Sequence, residues 1–360
     1  MRVAVTLEQC WHRVPGGTAF AALGLVAALA ARDDVEVLGV AARHAAAPEA
    51  AFRPVVPVHH LPLPRRLLYE TWHTPWPWPP VQQATGPVDV VHGTGVAVPP
   101  AGAAPVVMTI NDLAFLADPG GFTRNGVRFF RRATEAARRR AALVVVPSEA
   151  TAEDCRQAGF DPERLRVVPW AHEAAHAGPE AVADVRRRHG LPERYGLFVG
   201  TLEPRKNLPR LVEAWRATGT DVPLVLAGPE GWGDADVVGP GVVPIGFVPA
   251  ADRDALFAGA AVVAYPSLRE GFGLPVLEAM AQGAPVVTSK GTSTEEVAGD
   301  DAVLVDPLEV DSIADGLRQV LDDPAGAREL GERARARAAT FTWDRCADAY
   351  MAVYAEAVGG

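Results

Sequence analysis

The chain has 360 residues, of which 49% are hydrophobic and 22% are charged, and its formal net charge is −10. This composition is typical of a globular protein with enough residues for two domains, and it excludes a disordered chain. The negative charge argues against a general nucleic-acid binder, so no nucleic-acid partner is expected.

Cysteine usage and the apolar segments indicate where the protein acts. Cys10, Cys155 and Cys346 are far apart and lack CxxC spacing, which is typical of reduced thiols rather than of disulfides or a zinc site. The first residues lack the pattern of a signal peptide, and the apolar run 19–31 is shorter than the roughly 20 residues that span a membrane. The sequence therefore predicts a cytoplasmic protein.

The first half of the chain begins as a βαβ unit. Residues 2–7 predict a strand, Gly16 and Gly17 a tight turn, residues 19–32 a helix and residues 35–40 a second strand. Further strands are predicted at 88–92, 105–110, 143–147 and 165–168. This alternation is typical of a parallel sheet covered by helices.

An aromatic segment with many prolines, residues 61–80, interrupts this series. Proline removes backbone donors, so neither a regular helix nor a central strand is expected there. Trp72 and Trp76 are candidates for an acceptor pocket, although rings packed in a stiff surface loop explain them equally well.

A second series of short apolar runs starts near residue 195. Strands are predicted at 195–200, 222–228, 242–245, 261–266, 285–289 and 303–306. Two such series predict two doubly wound Rossmann-like domains. We expect domains at 1–172 and 195–342, a linker at 173–194, and a last helix at 343–360 that packs back on the first domain.

The first motif with chemical meaning follows the strand at 195–200. Gly200 ends the strand, and the next loop presents Arg205 and Lys206 just before a helix. Backbone amides at a helix start, together with two cations, suit a diphosphate. A solvated pair of cations is the alternative for this segment alone.

The second motif is Glu270-Gly-Phe-Gly-Leu-Pro-Val-Leu-Glu278, between a buried strand and a short helix. Pro275 suits the first helical position and Gly283 suits the residue after the last turn. Glu270 is then delivered to the mouth of the strand-to-helix turn, and Glu278 lies one turn into the helix. These carboxylates suit hydroxyls of a transferred sugar and of a ribose, respectively.

Other polar patterns have a weaker functional meaning. Asp234 with Asp236, and Asp252 with Asp254, match a metal-binding Asp-x-Asp pattern that also arises by chance, so no metal is expected. His92, at the end of a strand, is either an acceptor-site residue or a structural histidine.

Arginines crowd a predicted helix that also contains Phe129 and Phe130. They are Arg124, Arg128, Arg131, Arg132, Arg138, Arg139 and Arg140. The two interpretations are a peripheral contact with anionic lipid at the inner face of a membrane, which would suit a lipid-linked acceptor, and an ordinary solvated helix face.

Together these motifs resemble those of family 4 glycosyltransferases of the GT-B fold, in the branch of bacterial polysaccharide mannosyltransferases. The resemblance extends over nearly the whole chain and implies that the two Rossmann-like domains face each other across a cleft. It is carried by Gly16-Gly17, Thr109-Ile-Asn-Asp112, Val146-Pro-Ser148, Gly200-Thr-Leu-Glu-Pro-Arg-Lys-Asn, Gly246-Phe-Val-Pro, the segment Glu270 to Glu278 and Val297-Ala-Gly.

The resemblance implies a retaining transfer from a nucleotide-diphosphate sugar, with GDP-mannose favoured, to a glycan, lipid-linked or small-molecule acceptor. In that scheme Lys206 and Arg205 stabilise the leaving diphosphate, Glu270 contacts the sugar, and Glu278 holds the ribose. No metal and no cofactor other than this co-substrate is implied. The implied donor-binding residues are Gly16, Gly17, Gly200, Gly246, Phe247, Gly271, Phe272, Gly273, Leu274 and Glu278.

Two positions depart from the family pattern. Asn111 stands where the family usually has a histidine that contacts the donor sugar, and Asn keeps hydrogen bonding but cannot titrate. Asp112 beside it orients the loop or the acceptor, or caps the next element. Thr201 replaces an arginine common in relatives.

Two other functions are compatible with these motifs. One is a sugar-nucleotide epimerase of the same fold, which would change a sugar's configuration without an acceptor. The other is a non-catalytic partner that binds a nucleotide sugar, and it is motivated by Asn111.

Overall fold

The computed structural model describes residues 1–12, 16–100, 102–173, 175–229, 231 and 239–360. The chain forms two compact units. The first contains Met1–Ala171 and Thr342–Gly360, and the second contains His172–Phe341.

The first unit is built on a parallel sheet of seven strands in the order β3-β2-β1-β4-β5-β6-β7. The strands are β1 (Arg2–Thr6), β2 (Glu36–Ala41), β3 (Val58–His60), β4 (Val90–Gly93), β5 (Val106–Thr109), β6 (Leu143–Val146) and β7 (Leu165–Val167). Its helices are α1 (Gly16–Ala30), α2 (Arg65–Trp72), α3 (Gln82–Thr85), α4 (Ala114–Ala117), α5 (Arg124–Arg140), α6 (Glu149–Gln157) and α14 (Trp343–Gly359).

The second unit has six parallel strands in the order β10-β9-β8-β11-β12-β13. They are β8 (Gly196–Val199), β9 (Leu224–Ala227), β10 (Val242–Gly246), β11 (Val262–Tyr265), β12 (Val286–Ser289) and β13 (Val303–Val305). The helices are α7 (Pro179–His189), α8 (Leu208–Ala217), α9 (Ala250–Gly259), α10 (Leu274–Ala281), α11 (Ser293–Ala298), α12 (Val310–Leu321) and α13 (Pro324–Ala338).

Burial explains why the strands are continuous apolar runs. The central strands β4, β5, β8 and β11 are buried at every residue, because helices cover both faces of each sheet. In each sheet the chain order reverses at one point, between β1 and β4 and between β8 and β11. The loops after these strands diverge and leave a crevice where ligands bind in this class of fold.

The prediction that residues 61–80 contain no regular helix is wrong. Helix α2 spans Arg65–Trp72, and its N-cap is Pro64, which has an extended backbone. The helix itself contains no proline, so its hydrogen bonds are intact. The prolines flank the helix and do not interrupt it.

The predicted linker at 173–194 is also wrong. It contains α7, which starts with Pro179 and ends at His189. The C-cap is Gly190, whose left-handed conformation glycine adopts without strain. Helix α7 packs against α9 within the second unit. Alanine and charge are as typical of a helix as of a linker, which is why composition misled here.

Helix α14 packs against α1 and against the sheet of the first unit. Tyr350 and Tyr354 on this helix are buried, and both hydroxyls reach the polar centre of the first unit. Tyr350 Oη bonds to Thr109 Oγ1 at 2.9 Å, and Tyr354 Oη bonds to His92 Nδ1 at 2.8 Å. The last helix is therefore part of the first core.

Candidate active site

The two predicted motifs meet at the reversal point of the second sheet. Strands β8 and β11 are hydrogen-bonded neighbours, so the loops that leave their carboxyl ends lie side by side. Leu268 N donates to Arg205 O at 2.8 Å and joins the two loops directly.

The loop after β8 owes its path to close backbone contacts. A Cβ atom on residue 228 would lie only 2.0 Å from Gly200 O, so this position has room only for glycine. Asn207 is the only non-glycine residue with a positive φ, 63°, in the part of the chain that is described. Its side-chain amide donates to Pro266 O at 3.0 Å and to Pro307 O at 2.6 Å, which offsets the strain.

Lys206, Arg205 and Glu270 form one ionic cluster. Lys206 Nζ lies 2.6 Å from Glu270 Oε1, and Arg205 Nη1 lies 2.6 Å from Glu270 Oε2. Lys206 Nζ also donates to Tyr265 Oη at 2.6 Å. Each carboxylate oxygen of Glu270 thus contacts one cation, and the lysine is buried at 5% exposure.

The pKa values follow from this geometry. Burial alone would raise the pKa of Glu270, but Lys206 and Arg205 outweigh it and lower that pKa to about 2. Burial lowers the pKa of Lys206, with Arg205 acting in the same direction and Glu270 against it. Glu270 is therefore ionised at neutral pH, and it offsets the cost of holding a cation in a buried place.

The turn from Glu270 into α10 needs its glycine. Gly273 has a φ of 107° and is the N-cap of α10, so the helix begins at Leu274 and Pro275 is its second residue rather than its first. Both positions lack an intrahelical partner for their N–H, so proline fits either. Gly271 and Phe272 are buried, and Phe272 packs edge-on against Phe341 with centroids 6.1 Å apart.

Glu278 contacts a different set of residues from Glu270. Its Oε1 lies 3.0 Å from Arg253 Nη2 on α9 and 4.0 Å from His172 Nδ1. Burial raises the pKa of Glu278 to about 7, although Arg253 acts against this shift. Burial also lowers the pKa of His172 to about 4, so this histidine is neutral at pH 7.

The other predicted donor residue pair lies at the end of β10. Gly246 has a φ of 69°, and Gly228 N donates to its carbonyl oxygen at 2.7 Å. Phe247 beside it is 75% exposed, which is unusual for a large apolar ring.

In the first unit the predicted residues lie at the carboxyl ends of β1 and β5. Gly16 begins α1 with a φ of 65°, and it and Gly17 are exposed. Asn111 lines a small cavity with Thr94, Thr109 and other side chains. Asp112 Oδ1 accepts a hydrogen bond from Ala114 N at 3.0 Å. This contact favours a role in capping the start of α4 over orienting the acceptor.

The three acceptor candidates differ in exposure. His92 is fully buried, and its ring nitrogens bond to Thr109 Oγ1 and Tyr354 Oη, both at 2.8 Å. Trp72 is 2% exposed and donates to Pro79 O at 2.9 Å. Their burial and hydrogen bonds favour the structural alternative that the sequence leaves open for both residues. Trp76 is 86% exposed and stays a candidate.

Sequence reasoning missed three residues of this region. Tyr265 accepts a hydrogen bond from Lys206, and Asn207 fixes the loop backbone through Pro266 O. Arg253 pairs with Glu278. Tyr265 carried a usable signal, because a polar hydroxyl at the end of a buried strand needs a partner. Arg253 carried none, since its pairing depends on how α9 and α10 pack.

The described ranges also bear on metal binding and on membrane insertion. They contain no group of three or more His, Cys, Asp or Glu side chains placed to hold a metal ion. Asp252 pairs with Arg188 at 2.6 Å, while Asp234 and Asp236 lie outside the described residues. No helix in the same ranges is long and apolar enough to cross a membrane.

Comparison with known proteins identifies the family. The profile described as "Glycosyltransferase Family 4" matches residues 15–173, and that described as "Glycosyl transferases group 1" matches residues 183–337. The O-antigen chain mannosyltransferase B of Escherichia coli is 32% identical over an alignment of 257 residues that covers 67% of each chain. The chain belongs to the family 4 glycosyltransferases and is a glycosyltransferase enzyme.

Other relatives match in part or in fold alone. The MMP alpha-(1->4)-mannosyltransferase of Mycolicibacterium hassiacum is 44% identical over 108 residues, 29% of this chain and 26% of that one. Anabaena HepE, solved with UDP and glucose, has a TM-score of 0.74 at 20% identity and covers 99% of this chain and 100% of its own. The predicted GT-B class, with two Rossmann-like domains, is confirmed, and the transferase is favoured over the epimerase.

Proposed function

We propose that the protein is a retaining glycosyltransferase that uses a nucleotide-diphosphate sugar, with GDP-mannose as the preferred donor. The observation that carries the proposal is the cluster of Lys206, Arg205 and Glu270 at the reversal point of the second sheet. The ionised carboxylate of Glu270 holds both cations, and Glu203 also pairs with Arg205 at 2.5 Å. Cations fixed in this way provide a preorganised site for a leaving diphosphate.

The cations and Glu270 divide the work at the reacting end of the donor. When a diphosphate enters, its oxygens replace Glu270 as partners of Lys206 and Arg205. Negative charge grows on the bridging oxygen as the sugar–oxygen bond breaks, and fixed cations stabilise that state more than the ground state. The released carboxylate oxygens of Glu270 then accept hydrogen bonds from hydroxyls of the sugar.

Glu278 is proposed to hold the ribose of the nucleotide. It has two acceptor oxygens, and Arg253 occupies one of them at 3.0 Å. Because its pKa is raised to about 7, ribose hydroxyls that donate to it favour the ionised form and lower that pKa on binding. We therefore expect nucleotide affinity to rise with pH up to about 7.

The choice of sugar rests on the names of relatives. Two of them are called mannosyltransferases, whereas HepE was solved with UDP and with UDP-glucose. A panel of GDP-mannose, GDP-glucose, UDP-glucose and UDP-galactose separates these donors by thermal shift and by release of the nucleoside diphosphate. Preference for a UDP sugar would overturn the mannosyl proposal, and no response to any donor would overturn the function.

The mechanism has two further testable parts. The anomeric configuration of the product, read by NMR, distinguishes retention from inversion. Transfer is proposed to be independent of metal, because the cations of Arg205 and Lys206 take the place of a divalent ion at the diphosphate. Full activity in EDTA supports this, and activity restored only by Mg²⁺ or Mn²⁺ refutes it.

The acceptor is proposed to be a glycan, lipid-linked or small hydroxyl compound, reached at the cytoplasmic face of a membrane. The support is α5, where Arg124, Arg128 and Arg131 border a groove of about 420 Å³ and have no carboxylate partner in the described part of the chain. Anionic lipid headgroups suit such a surface.

Vesicle co-sedimentation tests the membrane contact. Charge reversal of Arg124, Arg128 and Arg131 should abolish pelleting with phosphatidylglycerol vesicles at modest salt. Charge reversal of three exposed arginines on α13, Arg328, Arg333 and Arg335, is the control and should leave pelleting unchanged. If the unaltered protein does not pellet, the arginines form an ordinary solvated face.

A further inference from the structure

A polar and aromatic cluster lies at the carboxyl ends of β1, β2 and β3, apart from the residues described above. Glu8 and Trp11 follow β1, His44 follows β2, and His60 ends β3. These three strands are neighbours in the sheet, so the four side chains meet at one edge. We call them the histidine corner.

Glu8 fixes the orientation of His44. Its side chain is buried, Oε2 accepts from Ala42 N at 2.8 Å, and Oε1 lies 2.9 Å from His44 Nε2. Because a carboxylate only accepts, Nε2 must carry the proton in this bond. When the imidazole carries only this proton, its lone pair is on Nδ1.

Aromatic packing fixes the plane of the same ring. Trp11 stacks on His44 with centroids 4.7 Å apart and an angle of 8°, and His60 meets Trp11 edge-on at 5.6 Å. Trp11 Nε1 donates to Ala46 O at 2.8 Å, which ties the loops after β1 and β2 together. His44 is thus held by a carboxylate in the ring plane and by an indole against one face.

The remaining nitrogen of His44 is available to a ligand. Nδ1 of His44 has no hydrogen-bond partner among the described residues, and the side chain is 17% exposed. His60 differs, since its Nδ1 lies 2.6 Å from Ala42 O. An acceptor atom held rigid at an open edge is a preorganised site for a hydroxyl donor.

The chemistry of the corner favours a carbohydrate. A metal ion is disfavoured, because the described residues hold no group of three metal-binding side chains. A rigid hydrogen-bond acceptor beside aromatic carbon suits a sugar ring, which has hydroxyls and an apolar C–H face. A glycosyltransferase also requires a second substrate that carries a hydroxyl, and the residues implied to hold the donor diphosphate and ribose lie in the other unit.

We propose that the histidine corner is a binding subsite for a sugar unit of the acceptor, in which one sugar hydroxyl donates a hydrogen bond to His44 Nδ1. The identification of the ligand as an acceptor rests on the proposed function. The subsite itself rests on Glu8, Trp11 and His44, which lie in the first unit, whereas the charged cluster around Lys206 lies in the second.

The substitution His44→Gln separates a ligand contact from a structural role. The amide nitrogen of Gln takes the place of Nε2 and still donates to Glu8, but nothing replaces Nδ1. His59→Gln is the matched control, since His59 lies on β3, is half-buried and makes no contact with Glu8 or Trp11. Thermal unfolding checks that both variants keep the fold.

The experiment uses the full chain with ¹³C-labelled histidine, saturated with GDP. Methyl glycosides of mannose, glucose, galactose and N-acetylglucosamine are the probes. We expect at least one of them to shift the ring signal of His44, which is assigned by its absence in His44→Gln, while the signal of His59 stays fixed. With that glycoside as acceptor, His44→Gln should raise the acceptor KM at least tenfold and leave donor KM and donor hydrolysis within twofold.

Three results would overturn the proposal: no glycoside shifts the His44 signal, His44→Gln transfers like the unaltered protein, or His59→Gln loses as much as His44→Gln. Failure of the proposed function is a separate outcome, since it appears as loss of donor binding and donor hydrolysis in the unaltered protein.

Discussion

The two sheets share one strand order around their reversal points but carry opposite chemistry at their carboxyl ends. In the second unit, Lys206 and Glu270 are buried as an ion pair. In the first unit, His92 is buried without any charge beside it, and desolvation lowers its pKa to about 3, so it is neutral. The same backbone frame thus places buried charge at the ends of β8 and β11, where a diphosphate is proposed to bind, and a neutral hydroxyl network at the ends of β4 and β5.

This contrast predicts that Trp72 and His92 of the first unit hold the fold, whereas Lys206 and Glu270 of the second are the residues proposed to act on a substrate. The substitution Trp72→Ala should have the largest effect. It removes a buried ring and should lower the free energy of unfolding by about 3–5 kcal/mol. Trp76→Ala is the control, because a ring that is 86% exposed should contribute less than about 0.5 kcal/mol. Urea unfolding followed by circular dichroism measures both. Equal effects of the two substitutions would refute the assignment of Trp72 to the core.

Lys206→Ala should have the next largest effect. This effect is on turnover and not on the stability of the first unit. Loss of one fixed cation is expected to remove about 2–4 kcal/mol of transition-state stabilisation. Release of GDP from GDP-mannose measures it. Lys290→Ala is the control of the same residue type, since Lys290 is exposed. Normal turnover of Lys206→Ala would mean that the cluster is not the diphosphate site.

Glu278→Gln tests the other carboxylate through pH. The folded-state pKa of Glu278 is raised from 4.5 to about 7, so the stability it contributes is fully present below about pH 4.5 and is lost as pH rises through about 7. Glutamine resembles the protonated acid and does not ionise, so the variant loses no stability from this position as pH rises. The variant should therefore gain about 1–3 kcal/mol relative to the unaltered protein between pH 4.5 and 7.

Thermal unfolding at several pH values measures this difference. A gap that stays constant across the range would show that Glu278 is ionised throughout. The same substitution should weaken nucleotide binding above pH 7, where the unaltered protein is ionised and glutamine is not.

Asn111→His is expected to have the smallest effect. If the side chain at 111 serves by hydrogen bonding, turnover should change less than about fivefold, or ~1 kcal/mol. Initial rates with saturating donor are the measurement. An inactive protein that gains turnover only with histidine at 111 would instead be a non-catalytic partner.

Much of the fold could be predicted from sequence because both sheets are buried. Continuous apolar runs mark parallel strands, and the reversal of strand order follows from two βα series. The proximity of Lys206 and Glu270 was predicted for the same reason, since both follow strands of one sheet. Glu278 was predicted to be near the start of its helix, but its pairing with Arg253 depends on helix packing.

What could not be predicted depends on contacts between distant residues. His92 and Tyr354 are 262 positions apart, and no local pattern links a histidine at a strand end to the last helix. Trp72 and Trp76 lie in one aromatic segment, yet one is in the core and the other in solvent. The burial of each ring depends on the position of α2, and the flanking prolines made that helix hard to predict from the sequence.

The pairing of α14 with the first sheet has a consequence for synthesis of the protein. The segment 172–341 lies between the two parts of the first unit along the chain. The ribosome therefore finishes the second unit while His92 still lacks its hydroxyl partner on Tyr354. The first unit therefore stays incomplete during translation until the residues of α14 have been added and released.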